Sequence, residues 1–366
     1  MTLKNKQQNK HQNKRPIKQL SQKILILVLL LTCKIAFGAS QDDVVIAIVD
    51  TGLDFNNPEL SQFLWTNPGE SGLDAKGKDK SKNGIDDDGN GFIDDLHGWD
   101  FVEQKPEAQD HHGHGSHIAG LVLSQIKQLP QATHVRLMIL KYYDQTYLST
   151  DTLGHTIKAF RYATSMGAHI INYSGGGRQP NRAEYLALQE AQEKGLLLAA
   201  AAGNEGRNLT HGKFFPANYP LGNIISITAV DSFHELLKTS NFSDHFVDLA
   251  APGKNQISWL PGSHLGPMTG TSQATALATG AAASFLLQRP EFKFRAEDLI
   301  RYLKAGAQNE KQLIGKVQNA AFLNEEVPPL LRDSGESPFG FSIVGTTPSS
   351  AIEQQNSTFQ KLTDKN

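Results

Sequence analysis

The chain has 366 residues, 39% of them apolar, with 32 Gly and a formal charge of −2, which fits a folded protein with chain enough to bury a core and excludes a fibre or a wholly disordered polymer. The first 39 residues hold eight Lys/Arg and no acid, so the remaining 27 Lys/Arg face 37 Asp/Glu and carry −10; an acidic body speaks against nucleic acid as a partner. A single cysteine, Cys33, excludes an internal disulfide framework and any multi-cysteine metal centre.

In chain order, a Lys-, Gln- and Asn-rich stretch runs to Lys23 and is followed by the unbroken apolar run Ile24–Leu31. Eight residues are too few to span a bilayer as a helix, and Ala36-Phe37-Gly38 offers small residues where a signal peptidase needs them. We expect residues 1–39 to be an export signal cleaved near Gly38/Ala39, giving a secreted, periplasmic or envelope protein with no membrane span in the mature chain. Two alternatives are a lipid anchor on Cys33, through Leu30-Leu31-Thr32-Cys33, and an uncleaved anchor. Beyond it, short apolar runs at 44–49, 135–140, 169–172, 196–201 and 224–230 read as strands buried on both faces. Helical patterns at 116–128, 152–166 and 182–194 alternate with them, which predicts an α/β fold with a mostly parallel central sheet flanked by helices on both faces. From 324 the composition turns to Pro, Ser, Gln and Asp, so 324–366 reads as a low-complexity, disordered tail.

Three motifs carry chemistry. Asp50 ends the first apolar run and opens Asp50-Thr51-Gly52, a carboxylate at a strand end where open sheets form their crevice. His114-Gly115-Ser116-His117 begins a helix after Gly113, and Gly270-Thr271-Ser272 begins a second helix of small residues. Taken singly, each has an ordinary structural reading: a turn Asp, a lone His, an N-cap Ser. Together they stand in the order Asp, His, Ser with gaps of 64 and 158 residues, one of the orders in which a nucleophilic triad is built.

These motifs, with Ala201-Ala202-Gly203-Asn204-Glu205-Gly206, resemble the signatures of the subtilisin-like serine proteases across roughly residues 44–320. The resemblance implies a subtilisin-like fold and a monomeric peptidase domain over 40–323. It also implies Asp50, His114 and Ser272 as the triad, Asn204 as oxyanion donor, polypeptides as substrates and no cofactor for catalysis. Asn172-Tyr173-Ser174-Gly175-Gly176-Gly177 resembles the family's substrate strand, with Ser174, Gly175 and Gly176 pairing an extended peptide; a plain Gly-rich loop is the alternative. Gln273 and Leu277 depart from the usual Met and Pro of the nucleophile helix. Only seven residues separate the expected cleavage point from Ile46, so no folded pro-segment is expected.

Asp86-Asp87-Asp88-Gly89-Asn90-Gly91-Phe92-Ile93-Asp94-Asp95 follows the start of an EF-hand-like loop, with Asp86, Asp88, Asn90 and Asp94 as candidate ligands of a structural Ca²⁺. His97 stands at the twelfth position in place of the bidentate Glu, and an acidic surface turn is the alternative. The cluster His111, His112, His114 and His117 lacks the H-E-x-x-H arrangement of a zinc hydrolase. Asp50-Thr51-Gly52 and Asp333-Ser334-Gly335 also match an aspartic-protease triplet, but an alternating α/β pattern contradicts that all-β fold. A peptide-binding pseudoenzyme on the same fold is the remaining alternative.

Overall fold

The computed structural model describes residues 43–147, 151–290 and 295–324. The expected export signal, Cys33, Asp333 and nearly all of the expected tail lie outside them. The chain begins with β1 (Val44–Asp50), α1 (Pro58–Ser61), β2 (Gly98–Asp100), α2 (His114–Ser124) and β3 (Val135–Lys141). It continues with α3 (Thr152–Ser165), β4 (Ile170–Tyr173), α4 (Arg182–Glu193), β5 (Leu197–Ala201), β6 (Ile224–Val230) and β7 (Leu249–Pro252). A hairpin, β8 (Gln256–Leu260) and β9 (His264–Met268), precedes α5 (Thr271–Gln288), α6 (Ala296–Gly306), β10 (Gln308–Asn309) and β11 (Ala321–Phe322).

Among the described residues nine strands form one sheet in the order β10-β11-β7-β6-β5-β4-β1-β3-β2. Every pairing is parallel except β10 with β11. Alternation along β1 sends Val44, Ile46 and Ile48 to a core shared with α2, α5 and α6, and Val45, Ala47 and Val49 to a core shared with α3 and α4. Helices therefore cover both faces, as the alternating pattern predicts. β1 sits between β3 and β4, so the chain departs from it in both directions. Its carboxyl end, at Asp50, is the switch point where an open α/β sheet leaves a crevice.

The five expected strands each form within one residue of their predicted ends. α2 begins at His114, two residues before its predicted start, because Gly113 turns the chain at φ +96° and Asp110 accepts the Ser116 N–H. α5 is buried almost throughout and crosses α2 at close range: a Cβ on Gly280 would fall 2.6 Å from the Val122 carbonyl oxygen. Its run of Ala and Gly is what that approach requires.

Asn181 caps α4 by accepting the Ala183 and Glu184 N–H groups. One turn in, the buried Glu184 carboxylate accepts from the Tyr219 hydroxyl at 2.7 Å. Burial outweighs this bond and pushes Glu184 up to about 7. The folded value exceeds the unfolded one, so the group's contribution to stability is complete below about 4.5 and is lost as pH rises through about 7. Glu184→Gln is expected to flatten the melting temperature between pH 4.5 and 7 and to be the more stable form at pH 8, by at most about 3 kcal/mol. Parallel melting curves for the two proteins across that range would refute this.

Candidate active site

Asp50 leaves β1 with its carboxylate oriented by its own turn: Oδ1 accepts the Thr51 N–H at 2.8 Å and meets His114 Nδ1 at 2.7 Å. A turn Asp and a histidine partner are thus the same residue. His114 opens α2, and the loop before it is held by a residue the motifs did not single out. Asp110, buried, accepts from His112 N, Gly113 N, the Thr51 hydroxyl, Ser116 N and the Ser116 hydroxyl. Thr51 Oγ1 in turn accepts the Gly115 N–H. This network fastens the first turn of α2 to the end of β1. The two backbones nearly touch, since a Cβ on Gly115 would lie 2.2 Å from the Gly52 carbonyl oxygen. The signal in the sequence was an Asp three residues before a Gly at a helix start, the position of a carboxylate that gathers orphan N–H groups.

Burial alone would depress the His114 imidazole. The charge of Asp50 and its hydrogen bond outweigh burial and hold the imidazolium above its ordinary range.

Ser272 lies in the first turn of α5, 6% exposed. Backbone N–H groups in a first turn have no acceptor within their helix and carry its positive end. Asn204, 67 residues away in sequence, reaches that turn: its Oδ1 accepts the Thr271 N–H at 2.9 Å and the Thr271 hydroxyl at 3.1 Å. With Oδ1 so engaged, Nδ2 is the end that can donate outward. The Asn204 loop is moulded by a second residue that sequence reading missed. Asn241, fully buried, donates from Nδ2 to the Ala202 carbonyl and accepts the Glu205 and Arg207 N–H groups at Oδ1, while its own N–H donates to the Gly203 carbonyl. Nothing local marks Asn241, because its partners lie more than thirty positions upstream.

Ser174, Gly175 and Gly176 continue β4 beyond its last paired residue, Tyr173. The glycines have a reason other than leaving room for a peptide. A Cβ on Gly175 would strike the Tyr142 and Tyr173 hydroxyls at 2.5 and 2.6 Å, and one on Gly176 would strike the Phe214 ring at 2.4 Å. Gly177 then pairs with Phe215 through two backbone hydrogen bonds of 2.7 and 2.8 Å.

The model of the subtilase family matches residues 41–323. The chain belongs to the subtilase family. It is 30% identical over 294 residues to the subtilisin of Bacillus pumilus, covering 78% of this chain and 93% of that one. It is 30% identical over 242 residues to the thermophilic serine proteinase of Bacillus sp. (strain AK1), covering 65% of this chain. It is 26% identical over 276 residues to subtilisin-like protease 1 of Plasmodium falciparum, covering 68% of this chain. The chain spans 51% and 38% of the lengths of those last two relatives. Among solved structures, a cold adapted subtilisin-like serine proteinase shares the fold with a TM-score of 0.59 at 23% identity, over 80% of this chain and 92% of that one. A lanthipeptide protease does so with a TM-score of 0.59 at 20% identity, over 78% and 87%.

In this subtilase Gln273 and Leu277 are buried within an unbroken α5, Leu277 as part of the core shared with α2. The four neighbouring histidines diverge. His111 Nδ1 meets Asp144 at 3.0 Å, His114 meets Asp50, and His117 Nε2 lies between the carbonyls of Gln256 and Gly266 at 3.0 and 3.2 Å, tying the β8–β9 hairpin to α2; His112 is exposed.

The acidic segment folds differently from the loop its spacing suggests. Asp86 accepts the Gly89, Asn90 and Gly91 N–H groups and Asp94 accepts that of Gly84, so both carboxylates close turns. Of Asp86, Asp88, Asn90 and Asp94, only Asp88 joins the carboxylates that converge, which are Glu70, Asp88 and Asp95, with one oxygen from each within 4.8 Å of the others. Asn67 and Asn90 donate across Asp88 and Asp95, and Tyr162 donates to Asp95. Glu70 is fully buried; its Oε1 accepts the Asp87 N–H and its Oε2 is buried with no hydrogen-bond partner. Burial, with the charges of Asp95, Asp87 and Asp88, raises the Glu70 carboxyl above its ordinary value.

Proposed function

We propose that this subtilase is a serine endopeptidase that cuts extended polypeptides through an acyl-enzyme. The observation that carries the reading is the 2.7 Å contact between Asp50 and His114 Nδ1, made by residues 64 positions apart at the sheet's switch point. His114 Nε2 takes the proton of the Ser272 hydroxyl as Oγ bonds to the scissile carbonyl carbon. The carbonyl electron pair moves to oxygen, where the Asn204 Nδ2–H and the Ser272 N–H stabilise it with the positive end of α5. As the tetrahedral adduct collapses, the C–N bond breaks and His114 returns its proton to the leaving amine. Water then repeats the sequence on the ester, releasing the acid and restoring Ser272. Asp50 fixes the imidazole tautomer and stabilises its cation, and Ser174–Gly176 receive the peptide as an added strand. These steps use side chains and backbone alone, with no cofactor.

A fluorophosphonate probe should label Ser272, with labelling abolished in Ser272→Ala. A folded protein that takes up no label would favour the peptide-binding pseudoenzyme. The Lys-rich, then apolar N-terminal sequence supports export of the enzyme; among the described residues no helix is long and apolar enough to cross a membrane.

The orphan Oε2 of Glu70 supports a structural cation beside it. Hard carboxylate oxygens from Glu70, Asp88 and Asp95 suit Ca²⁺, and a bound cation would relieve the repulsion that raises Glu70. Ca²⁺ at about a hundred times its dissociation constant is expected to add about 2.7 kcal/mol, a rise of several degrees in melting temperature that EDTA reverses and Glu70→Gln removes. Identical melting curves in EDTA and in millimolar Ca²⁺ would leave the cluster without a cation.

A further inference from the structure

The two faces of the β8–β9 hairpin meet different surroundings. Ser258 and Gly266, paired across it, are buried on the side of α2, where a Cβ on Gly120 would fall 2.2 Å from Ser258 Oγ. Alternation sends Ile257, Trp259, Leu265 and Pro267 to the other side, as the cross-strand pairs Ile257–Pro267 and Trp259–Leu265. Trp259 is half-buried against the core, Pro267 is exposed, and Ile257 and Leu265 are 58% and 57% exposed. Among the described residues these last two are the large exposed apolar side chains that stand on paired strands, so they form one patch and not scattered points. We infer that a later segment of the same chain, residues 339–343, lies across this patch with Phe339, Phe341 and Ile343 facing the hairpin.

The chain leaves the sheet in the direction of the hairpin. β11 runs parallel to β7, with Phe322 opposite Ala250 and the Leu323 N–H donating to the Ala250 carbonyl. It therefore heads past Ala251 and Pro252, as β7 itself does before three residues carry it into β8. Fifteen residues separate Asn324 from Phe339, a tether that reaches about 50 Å when extended, several times the span of that three-residue connection. The segment has the pattern such a seat requires. In Pro338-Phe339-Gly340-Phe341-Ser342-Ile343-Val344 the bulky apolar residues Phe339, Phe341 and Ile343 recur at every second position with Gly340 and Ser342 between them, as in a strand with one apolar face. Two apolar strips joined by a tether long enough to bring them together remove each other from water. Because β9 passes through Thr269 and Gly270 directly into α5 and Ser272, the docked segment clasps the stretch that leads to the nucleophile.

Trp259 reports on the patch, because the other two tryptophans, Trp65 and Trp99, are buried. Acrylamide quenching and the emission maximum are measured on the full chain carrying Ser272→Ala, so that it does not cut itself, and on further variants in that background. Phe339→Ser/Phe341→Ser/Ile343→Ser should raise the quenching of Trp259 and move its emission to longer wavelength. Gly340→Ser/Val344→Ser, on the opposite face of the segment, should leave both readings as in the parent. Adding Trp259→Phe to parent and triple variant should abolish the difference between them. All five serine substitutions lie beyond Asn324, so the sheet and both cores keep their side chains. A triple variant that quenches like its parent overturns the inference, as does an equal effect from the out-of-phase pair. Protection of Trp259 that is lost on dilution also overturns it, since a second copy of the chain would then be what covers the face.

Discussion

Ser272→Ala is expected to lower kcat/KM for a peptide anilide by about 10⁴–10⁶-fold, His114→Ala by a comparable factor, and the double variant by no more than about tenfold beyond either. The near-equality follows from what each group does. Without the hydroxyl, His114 has no proton to accept; without the imidazole, the hydroxyl stays a weak nucleophile at neutral pH. A trace of rate should survive if, as proposed, the Asn204 amide and the first-turn N–H groups of α5 stabilise the developing oxyanion. The loss would not come from unfolding. Ser272 sits one residue inside α5, where alanine is the best helix former, and its hydroxyl fills no large volume of the core. Unchanged melting temperature with lost turnover is therefore the expected pair of results. Losses that multiply in the double variant, or full activity in either single one, would show that hydrolysis runs through other groups.

What could be read in the sequence was whatever is repeated or contiguous. Val44–Val49 announces a buried strand because every position is apolar, Ile224–Val230 because only Ser226 and Thr228 interrupt its apolar run, and Asp50, His114 and Ser272 each stand close to glycines in short motifs. β2 was invisible because three residues, Gly98-Trp99-Asp100, carry no period. β7 was hidden by small residues and Pro252, and the β8–β9 hairpin pairs exposed residues such as Ile257, 58% exposed, which follow no burial pattern.

The same distinction runs through the site. The groups assigned to bond-making lie in motifs, whereas Asp110 and Asn241 act by gathering N–H groups and carbonyls brought in from a distance. The acidic segment is the clearest case. Alternate spacing pointed to Asp86 and Asp94, but Asp86 is drawn onto the N–H groups of its own glycine-rich turn and Asp94 onto the Gly84 N–H ten positions back. The oxygens left to converge belong to Glu70, Asp88 and Asp95, and Glu70 lies well before the motif.

Asp50→Asn separates charge from geometry. Asp50 Oδ1 accepts from Thr51 N and faces His114 Nδ1, so an amide oxygen at the same place can keep both contacts while losing the negative charge. What disappears is the stabilisation of the imidazolium that forms when Ser272 is deprotonated; an amide turned the other way would also impose the wrong tautomer. Either outcome should lower kcat by about 10⁴-fold. The pH profile should change as well. In the wild type, Asp50 overcomes burial and raises the imidazole above 6.5, so the acid limb of kcat/KM lies above that value, because the base must be neutral to act. With that charge removed, the charge of Asp110 is left to oppose burial and the limb should move to lower pH. Stability should follow the same sign: the wild-type pair contributes fully below 6.5 and loses its contribution as pH rises through the raised value, whereas in Asp50→Asn that dependence weakens and, where burial prevails, reverses. An acid limb that stays in place, or a loss of less than tenfold, would mean that Asp50 only anchors the turn at Thr51 and that His114 draws its basicity from elsewhere.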